Sequence, residues 1–248
     1  ALNVLLLLGA RHGAQAIFEA NLASSALGLL LLATVYENLF RPRLDRALLR
    51  ELLAFSLPLV PAQLAAIVVQ VADRPVLQHL TDGATVGIYT ANYRLGIVMM
   101  LVVSVFQYAW QPFFLARGSD PDARPLFARV LTYYLLAASG LFLAITLFVD
   151  RIVALPIGRG HTFIDSAYWP GLGVVPWVLL GYVALGVYTN LSAGPTLVKK
   201  TRVFPWVTGL AALVNVGLNL VLVPRFGMIA AAWTTFLAYV VMAAAMWG

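Results

Sequence analysis

The sequence contains no cysteine, only three histidines among its 248 residues, and charged side chains at only 10% of positions. Without cysteine, the chain forms no disulfide bond and has no thiol chemistry. The histidines (His12, His79 and His161) lie far apart, so we expect neither a metal site nor a cofactor. A Gly-rich phosphate loop, a serine nucleophile elbow and a carboxylate pair on a soluble domain are also missing. The sequence therefore predicts a protein that is not an enzyme.

Long apolar runs dominate what is present. Hydrophobic residues make up 62% of the sequence and occur in runs of about twenty residues, the length that crosses a bilayer. We predict an all-α, polytopic transmembrane bundle with spans at residues 14–36, 52–77, 86–115, 128–148, 169–191, 203–223 and 228–247. The run at residues 2–8 is too short to cross alone and the chain lacks an initiator Met, so we expect a fragment of a longer protein.

Basic residues are concentrated in alternate loops, and this predicts the orientation of the spans. Residues 38–51, residues 116–129 and the loop after residue 191 together hold ten of the sixteen lysines and arginines. The opposite loops hold four, so the first set should face the cytoplasm. The net charge of +6 then reflects topology and contact with anionic membrane lipids. No basic run carries the interleaved aromatic residues that stack on bases, so we expect no nucleic-acid partner.

The two ends of the chain share a pattern that indicates an internal repeat. An apolar helix beginning Leu-Asn, an Arg-containing turn with glycine and a returning small-residue helix occur near residue 2 and again near residue 218. Parallel repeats of this kind are found in two-lobed transporters. We assign residues 1–37 to the end of a first transmembrane lobe and residues 52–248 to a second lobe of six helices.

Residues 38–51 separate these predicted lobes. Leu44, Ala47 and Leu48 recur at helical spacing, while arginines occupy the other side, which is typical of an amphipathic helix on the inner membrane surface. The alternative is a solvated linker. Either interpretation makes this segment the boundary between the lobes.

Four ionisable side chains fall inside the predicted spans: Glu19, Asp73, Arg74 and Arg94. A charge within the bilayer costs about 2.5 to 3.5 kcal/mol on insertion scales, so such residues usually face a bundle interior or a wet cavity. Asp73 and Arg94 lie at similar distances from the hairpin near Gly83, which places them at similar depth in the outer part of the membrane. Two interpretations of Asp73 remain open: it lines a cavity, or it neutralises Arg74 or Arg94.

Polar stripes on two neighbouring spans predict such a cavity. At about 100° per residue, Gln63, Gln70 and Arg74 share one helix face. A second face, on the next span, carries Tyr89, Tyr93, Met100, Ser104, Gln107 and Gln111. The alternative is that the glutamines form hydrogen bonds between helices and serve only packing.

Two prolines, Pro58 and Pro61, fall within one turn of the span that follows the linker. Each removes a backbone hydrogen bond, so we predict a kink there. A kink at a lobe boundary is a suitable place for gating, although membrane helices also tolerate proline without moving.

Several short motifs occur in a distinctive order: Ser-Leu-Pro-Leu-Val-Pro at 56–61, Ala-Asp-Arg at 72–74, Val-Gly-Ile-Tyr at 86–89, Tyr-Arg-Leu-Gly at 93–96, Lys-Thr-Arg at 200–202 and the hairpin at 215–232. In this order they resemble polysaccharide flippases of the multidrug/oligosaccharidyl-lipid/polysaccharide exporter superfamily. The resemblance covers essentially the whole chain, from about the fifth to the twelfth helix of the family.

The resemblance implies a flippase of the bacterial cytoplasmic membrane, which moves an undecaprenyl-diphosphate-linked oligosaccharide to the outer leaflet by alternating access. Its partners would be this lipid-linked oligosaccharide and membrane lipids, with a glycan polymerase or glycosyltransferases of the same pathway as further candidates. Arginines would bind the diphosphate, and amide and aromatic side chains would contact the glycan. The predicted substrate-binding residues are Arg74, Arg94, Asp73, Gln70, Tyr89, Tyr93, Gln107 and Gln111.

Two other functions compete with this prediction. A cation-coupled multidrug exporter of the same superfamily would favour acidic residues in its cavity, whereas the middle of this chain has two intramembrane arginines and one aspartate. A membrane enzyme acting on lipid-linked glycans would need a sizeable outer loop or a constellation of carboxylates and histidines at the membrane face. Neither feature is evident in the sequence.

Overall fold

The computed structural model describes residues 15–36, 45–158 and 161–247, and they are overwhelmingly helical. Five helical segments among them are long and apolar enough to cross a membrane: Arg46–Val71, Gly83–Arg117, Ala123–Val153, Ser166–Leu197 and Val203–Trp247. The predicted all-α, polytopic fold is confirmed, and the chain is a multi-pass membrane protein. It divides into two compact units, Ala1–Glu51 and Leu52–Gly248.

The described part of the first unit is mainly helix α1, Gln15–Val35, which corresponds to the first predicted span. The sequence repeat near residue 2 and residues 38–44 of the predicted linker lie outside the described residues. The rest of the linker begins helix α2, Arg46–Ser56, whose start is capped because Asp45 Oδ1 accepts the Ala47 N–H at 2.8 Å. The lobe assignment of these segments remains a prediction.

The predicted span at residues 52–77 is interrupted twice. Helix α2 ends at Ser56, helix α3 spans Leu59–Val71, and helix α4 spans Asp73–Leu80. The first interruption lies at the prolines where the sequence predicts a kink, and there the Val60 N–H bonds the Leu57 carbonyl oxygen at 3.2 Å in a tighter turn. The second lies at Ala72, because Pro75 has no N–H to continue the helical ladder.

The predicted span at residues 86–115 also differs from a single helix. It comprises helix α5, Gly83–Tyr93, a 3-10 turn, Arg94–Gly96, and helix α6, Ile97–Arg117. The turn lies where the chain passes closely over a neighbouring helix, since a Cβ at Gly96 would lie 2.5 Å from Cγ1 of Val178. A 3-10 turn changes the angular position of the residues after it, so the predicted single face of tyrosines and glutamines is divided.

The remaining elements complete the second unit. Helix α7, Ala123–Val153, leads to a short antiparallel pair of strands, β1 (Pro156–Gly158) and β2 (His161–Thr162), and a 3-10 segment, Ser166–Val174. They are followed by helices α8 (Val175–Leu191), α9 (Ala193–Leu197) and α10 (Val203–Trp247).

Helix α10 turns back on itself at Gly227, whose φ of 60° and ψ of −142° suit glycine. Its two parts correspond to the two spans predicted at residues 203–223 and 228–247. Asn215 Nδ2 donates to Thr235 Oγ1 at 3.4 Å across this hairpin, so this asparagine bonds the neighbouring helical part. Residues from both parts of α10 can therefore line one cavity.

Helix α8 lies at the centre of the second unit and packs against α6, α7 and α10. Its small residues permit these close approaches. At Gly186 the ring of Tyr134 from α7 occupies the space that a Cβ would need, and the Tyr134 hydroxyl donates to the Val183 carbonyl oxygen at 3.1 Å. This packing holds α8 in place at the middle of the second unit.

Candidate functional site

A cavity of about 430 Å³ lies within the second unit, among α3, α6, α8 and α10. Its volume falls in the roughly 300 to 1,000 Å³ range of small-molecule sites. Three side-chain amides and five hydroxyls line it, together with smaller apolar side chains. The polar residues are Gln63, Gln70, Gln107, Tyr188, Thr189, Ser192, Thr208 and Tyr239.

A second cavity of about 220 Å³ adjoins the first. The two cavities share Leu59, Gln107, Thr189, Ser192 and Phe204, so we treat them as one polar groove. The second cavity adds four polar residues to its wall: Gln111, Thr196 and Thr201, with Trp110. None of the described residues that line the polar groove is charged.

Most hydroxyl groups of the groove already donate their proton in a hydrogen bond to a backbone carbonyl oxygen. Thr189 donates to the Leu185 carbonyl oxygen at 2.9 Å, Thr196 to the Ser192 carbonyl oxygen at 2.7 Å, and Thr208 to the Phe204 carbonyl oxygen at 2.9 Å. Back-bonding of this kind leaves the lone pairs of the hydroxyl oxygen as acceptors. These side chains therefore offer acceptors to a ligand in the groove.

The side-chain amides complement the hydroxyls. Within the part of the chain that the structure describes, no hydrogen bond is made by the amides of Gln63, Gln70, Gln107 or Gln111. Each offers both donors and an acceptor. Free amides of this number are costly in hydrocarbon, so the groove must hold water or a polar ligand.

Arg74 lies one helical turn beyond Gln70, the last residue of α3 that lines the groove, and does not itself line the groove. Its guanidinium lies 4.8 Å from the ring centroid of Tyr93, and Nη1 donates to the Gln70 carbonyl oxygen at 3.3 Å. The Tyr93 ring in turn contacts the ring of Tyr182 at 6.3 Å, edge to face. These contacts hold Arg74 in place while its side chain remains about one third exposed, at 33%.

Asp73 is fully buried, and its partners answer the question left open by the sequence. Its Oδ1 accepts the Arg74 backbone N–H at 2.9 Å and lies 3.6 Å from Arg74 Nη1, so its neutralising partner is Arg74. Its Oδ2 accepts the hydroxyl of Tyr89, which is itself fully buried. Asp73 and Tyr89 thus lie behind Arg74 and do not line the groove.

Arg94 occupies a different position from Arg74. It lies in the 3-10 turn, its side chain is exposed, and it is not among the residues that line the groove. Of the predicted site residues, the structure places Gln70, Gln107 and Gln111 on the groove. Arg74 and Tyr93 lie at its Gln70 end.

The sequence pattern did not identify the groove residues of α8 and α10. Tyr188 and Ser192 lie one turn apart, as do Phe204 and Thr208, so helical spacing could have grouped each pair. The approach of Tyr239 to Thr208 depends on the reversal of α10 at Gly227, which no local periodicity encodes.

Comparison with known proteins finds one family model that matches part of the chain. Residues 1–116, which include helices α1 to α5 and all but the last residue of α6, match the family model described as polysaccharide biosynthesis protein. This match confirms the resemblance recognised from the sequence motifs, and it covers slightly less than half of the chain. The groove residues of α8, α9 and α10 and of the loops between these helices lie beyond the matched residues. No curated protein and no solved structure matches the chain.

Proposed function

We propose that this chain belongs to a flippase that moves an undecaprenyl-diphosphate-linked oligosaccharide from the inner to the outer leaflet of the bacterial cytoplasmic membrane. The observation that carries the proposal is a polar groove inside a transmembrane bundle with an arginine at one end. A lipid-linked oligosaccharide has a matching arrangement of groups, since an anionic diphosphate joins a polar glycan to a polyprenyl chain. The family match supports a role in polysaccharide biosynthesis.

Arg74 is the proposed diphosphate ligand. A guanidinium presents five donors in a planar fork, of which the structure commits Nη1 to the Gln70 carbonyl oxygen and to the ion pair with Asp73. The remaining N–H groups are available to phosphate oxygens, and stacking on Tyr93 orients the plane. Asp73 and Tyr89 act as positioning residues, because their contacts are to Arg74 and to each other.

The polar groove is the proposed path of the glycan. Under the predicted topology, Gln111 lies toward the cytoplasmic end of its span, Thr196 and Thr201 lie in the cytoplasmic loop after residue 191, and Gln70 lies toward the outer end of its span. A substrate moving along the groove would therefore pass from amide and hydroxyl groups near the cytoplasm to Arg74 near the outer leaflet. Rocking of this lobe against a second lobe would complete alternating access.

Arg94 is retained as a second candidate phosphate ligand. Its exposed guanidinium lies outside the groove and is not paired with Asp73 among the described residues. It could reach substrate only at the surface of the unit. We therefore assign Arg74 the larger role.

A cation-coupled drug exporter is the competing function. A lipophilic cation would be recognised by an accessible carboxylate, but Asp73 is fully buried and neutralised by Arg74. This arrangement favours an anionic substrate. We therefore propose transport of the lipid-linked glycan rather than catalysis. Polymerases or glycosyltransferases of the same pathway are the proposed protein partners.

Expression of this chain as part of the two-lobed protein predicted from the sequence, in a strain that lacks its own flippase, tests the proposal. We expect surface polysaccharide to be restored and the lipid-linked precursor of the inner leaflet to fall. The Arg74→Ala variant should fail at equal protein level, whereas Arg124→Ala should behave as the wild type, because Arg124 is exposed in the first turn of α7. Unchanged surface polysaccharide together with raised drug resistance would support the exporter instead.

A further inference from the structure

We infer that the polar groove binds uncharged sugar residues, so that the glycan part of the transported substrate is neutral where it occupies the groove. The inference rests on the proposed function and deepens it by naming the class of glycan. It is carried by the chemistry of the groove wall. Amides and hydroxyls line the groove, and no charged side chain does so among the described residues.

The hydrogen-bonding groups of the wall match those of a neutral sugar. Each sugar hydroxyl is one donor and an acceptor. The back-bonded threonines offer acceptors to sugar O–H groups, and Gln107, which is shared by both cavities, offers donors and an acceptor together. A hydroxyl-rich ligand can therefore satisfy the wall without introducing an unpaired charge.

An acidic sugar would fit the same groove less well than a neutral sugar. Its carboxylate would leave water for a groove inside the bilayer without a cation to pair with, which is unfavourable. Arg74, which lies beyond Gln70, is the proposed diphosphate ligand, and Arg202, which follows Thr201 in the chain, is exposed and does not line the groove. Neutral sugars should therefore bind more tightly than uronic acids of the same size.

The apolar part of the wall is consistent with sugar binding as well. Phe204 and Leu59 line both cavities and present apolar surface next to the amides. Sugar rings have apolar C–H faces and polar edges, so a wall of mixed character fits them better than it fits an extended lipid tail. Uncharged sugar binding accounts for both kinds of lining residue.

Binding to the purified chain in lipid nanodiscs tests the inference with three fluorescent probes. The probes are polyprenyl diphosphate without sugar, the same lipid with a neutral trisaccharide, and the same lipid with a trisaccharide that contains one uronic acid. We expect the neutral trisaccharide to bind roughly tenfold tighter than the acidic one, because several hydrogen bonds are gained without an unpaired carboxylate. The Gln107→Leu variant should weaken the neutral probe several-fold and leave the sugar-free probe unchanged.

Two further variants complete the experiment. Gln78→Leu is the matched control, because Gln78 is an exposed glutamine on α4 that lies outside the groove. Gln107→Lys should raise the affinity for the acidic probe by placing a cation in the groove. Equal binding of neutral and acidic probes, or no effect of Gln107→Leu on the neutral probe, would overturn the inference.

The sugar-free probe separates this inference from the proposed function. If it binds and binding depends on Arg74, the diphosphate site stands whatever the glycan result. If it fails to bind while the neutral trisaccharide binds through Gln107, the glycan inference stands and the diphosphate assignment falls.

Discussion

The guanidinium of Arg74 lies 4.8 Å from the centre of the Tyr93 ring, and this contact holds an intramembrane cation at the end of a polar groove. Asp73 supports it from behind, with Oδ1 at 3.6 Å from Nη1. The arginine is thus compensated without being buried, since its side chain remains 33% exposed. Such a cation is available to an anionic ligand.

Arg74→Lys tests whether the geometry of the guanidinium matters in addition to its charge. Lysine keeps the charge but loses the planar fork and the stacking on Tyr93. We expect binding of polyprenyl diphosphate to weaken several-fold, measured with purified protein in nanodiscs. Arg94→Lys serves as the control and should have a smaller effect. Equal effects at both positions would contradict the assignment of the larger role to Arg74.

Tyr89→Phe tests the role of the buried carboxylate. The substitution removes the hydroxyl that donates to Asp73 and leaves one carboxylate oxygen without that partner. We expect a loss of about 1 to 3 kcal/mol in the free energy of unfolding, read as a lower melting temperature in detergent. Tyr108→Phe is the matched control, because Tyr108 is 82% exposed. Identical melting temperatures for both variants would show that the Tyr89 hydroxyl contributes nothing to stability.

Gly186→Ala tests the close approach of α7 to the central helix. A methyl group at this position would collide with the ring of Tyr134, so we expect destabilisation of roughly 1 to 3 kcal/mol. Gly140→Ala on α7 is the control, because a Cβ there meets nothing within 4 Å and alanine favours helix. Melting curves of the two variants should therefore move in opposite directions, or only that of Gly186→Ala should move.

The predicted topology is tested with reporters fused at loop positions. Fusions at Asp45, Asp120 and Lys200 should report the cytoplasm, and a fusion at Gly83 should report the outside. Gly160, a further outer position predicted from the sequence, lies outside the described residues. A cytoplasmic signal at Gly83 would reverse the proposed direction of the groove.

Local sequence pattern predicted the spans well because a run of apolar residues reports burial in lipid directly. It missed the breaks at Ala72 and at the 3-10 turn, Arg94–Gly96. The first follows from Pro75, which was visible in the sequence, whereas the second depends on contact between Gly96 and Val178, residues far apart in the chain.

In the candidate site, too, local sequence pattern predicted some features and missed those that depend on tertiary contacts. Helical spacing grouped Gln63, Gln70 and Arg74 on one face of the chain, and the structure places both glutamines on the groove. Spacing also grouped Tyr89 with the glutamines of α6, but Tyr89 is buried against Asp73. Periodicity identifies a polar face, whereas the tertiary packing decides whether that face meets a partner or a cavity.

The most direct test of the account is export of surface polysaccharide by an Arg74→Ala, Arg94→Ala double variant expressed at the wild-type level. We expect export to be lost, and the Arg74→Ala single variant to account for most of the loss. The lipid-linked precursor should then accumulate on the inner leaflet. Full polysaccharide export by the double variant would remove both arginines from the substrate site and contradict the proposed diphosphate recognition.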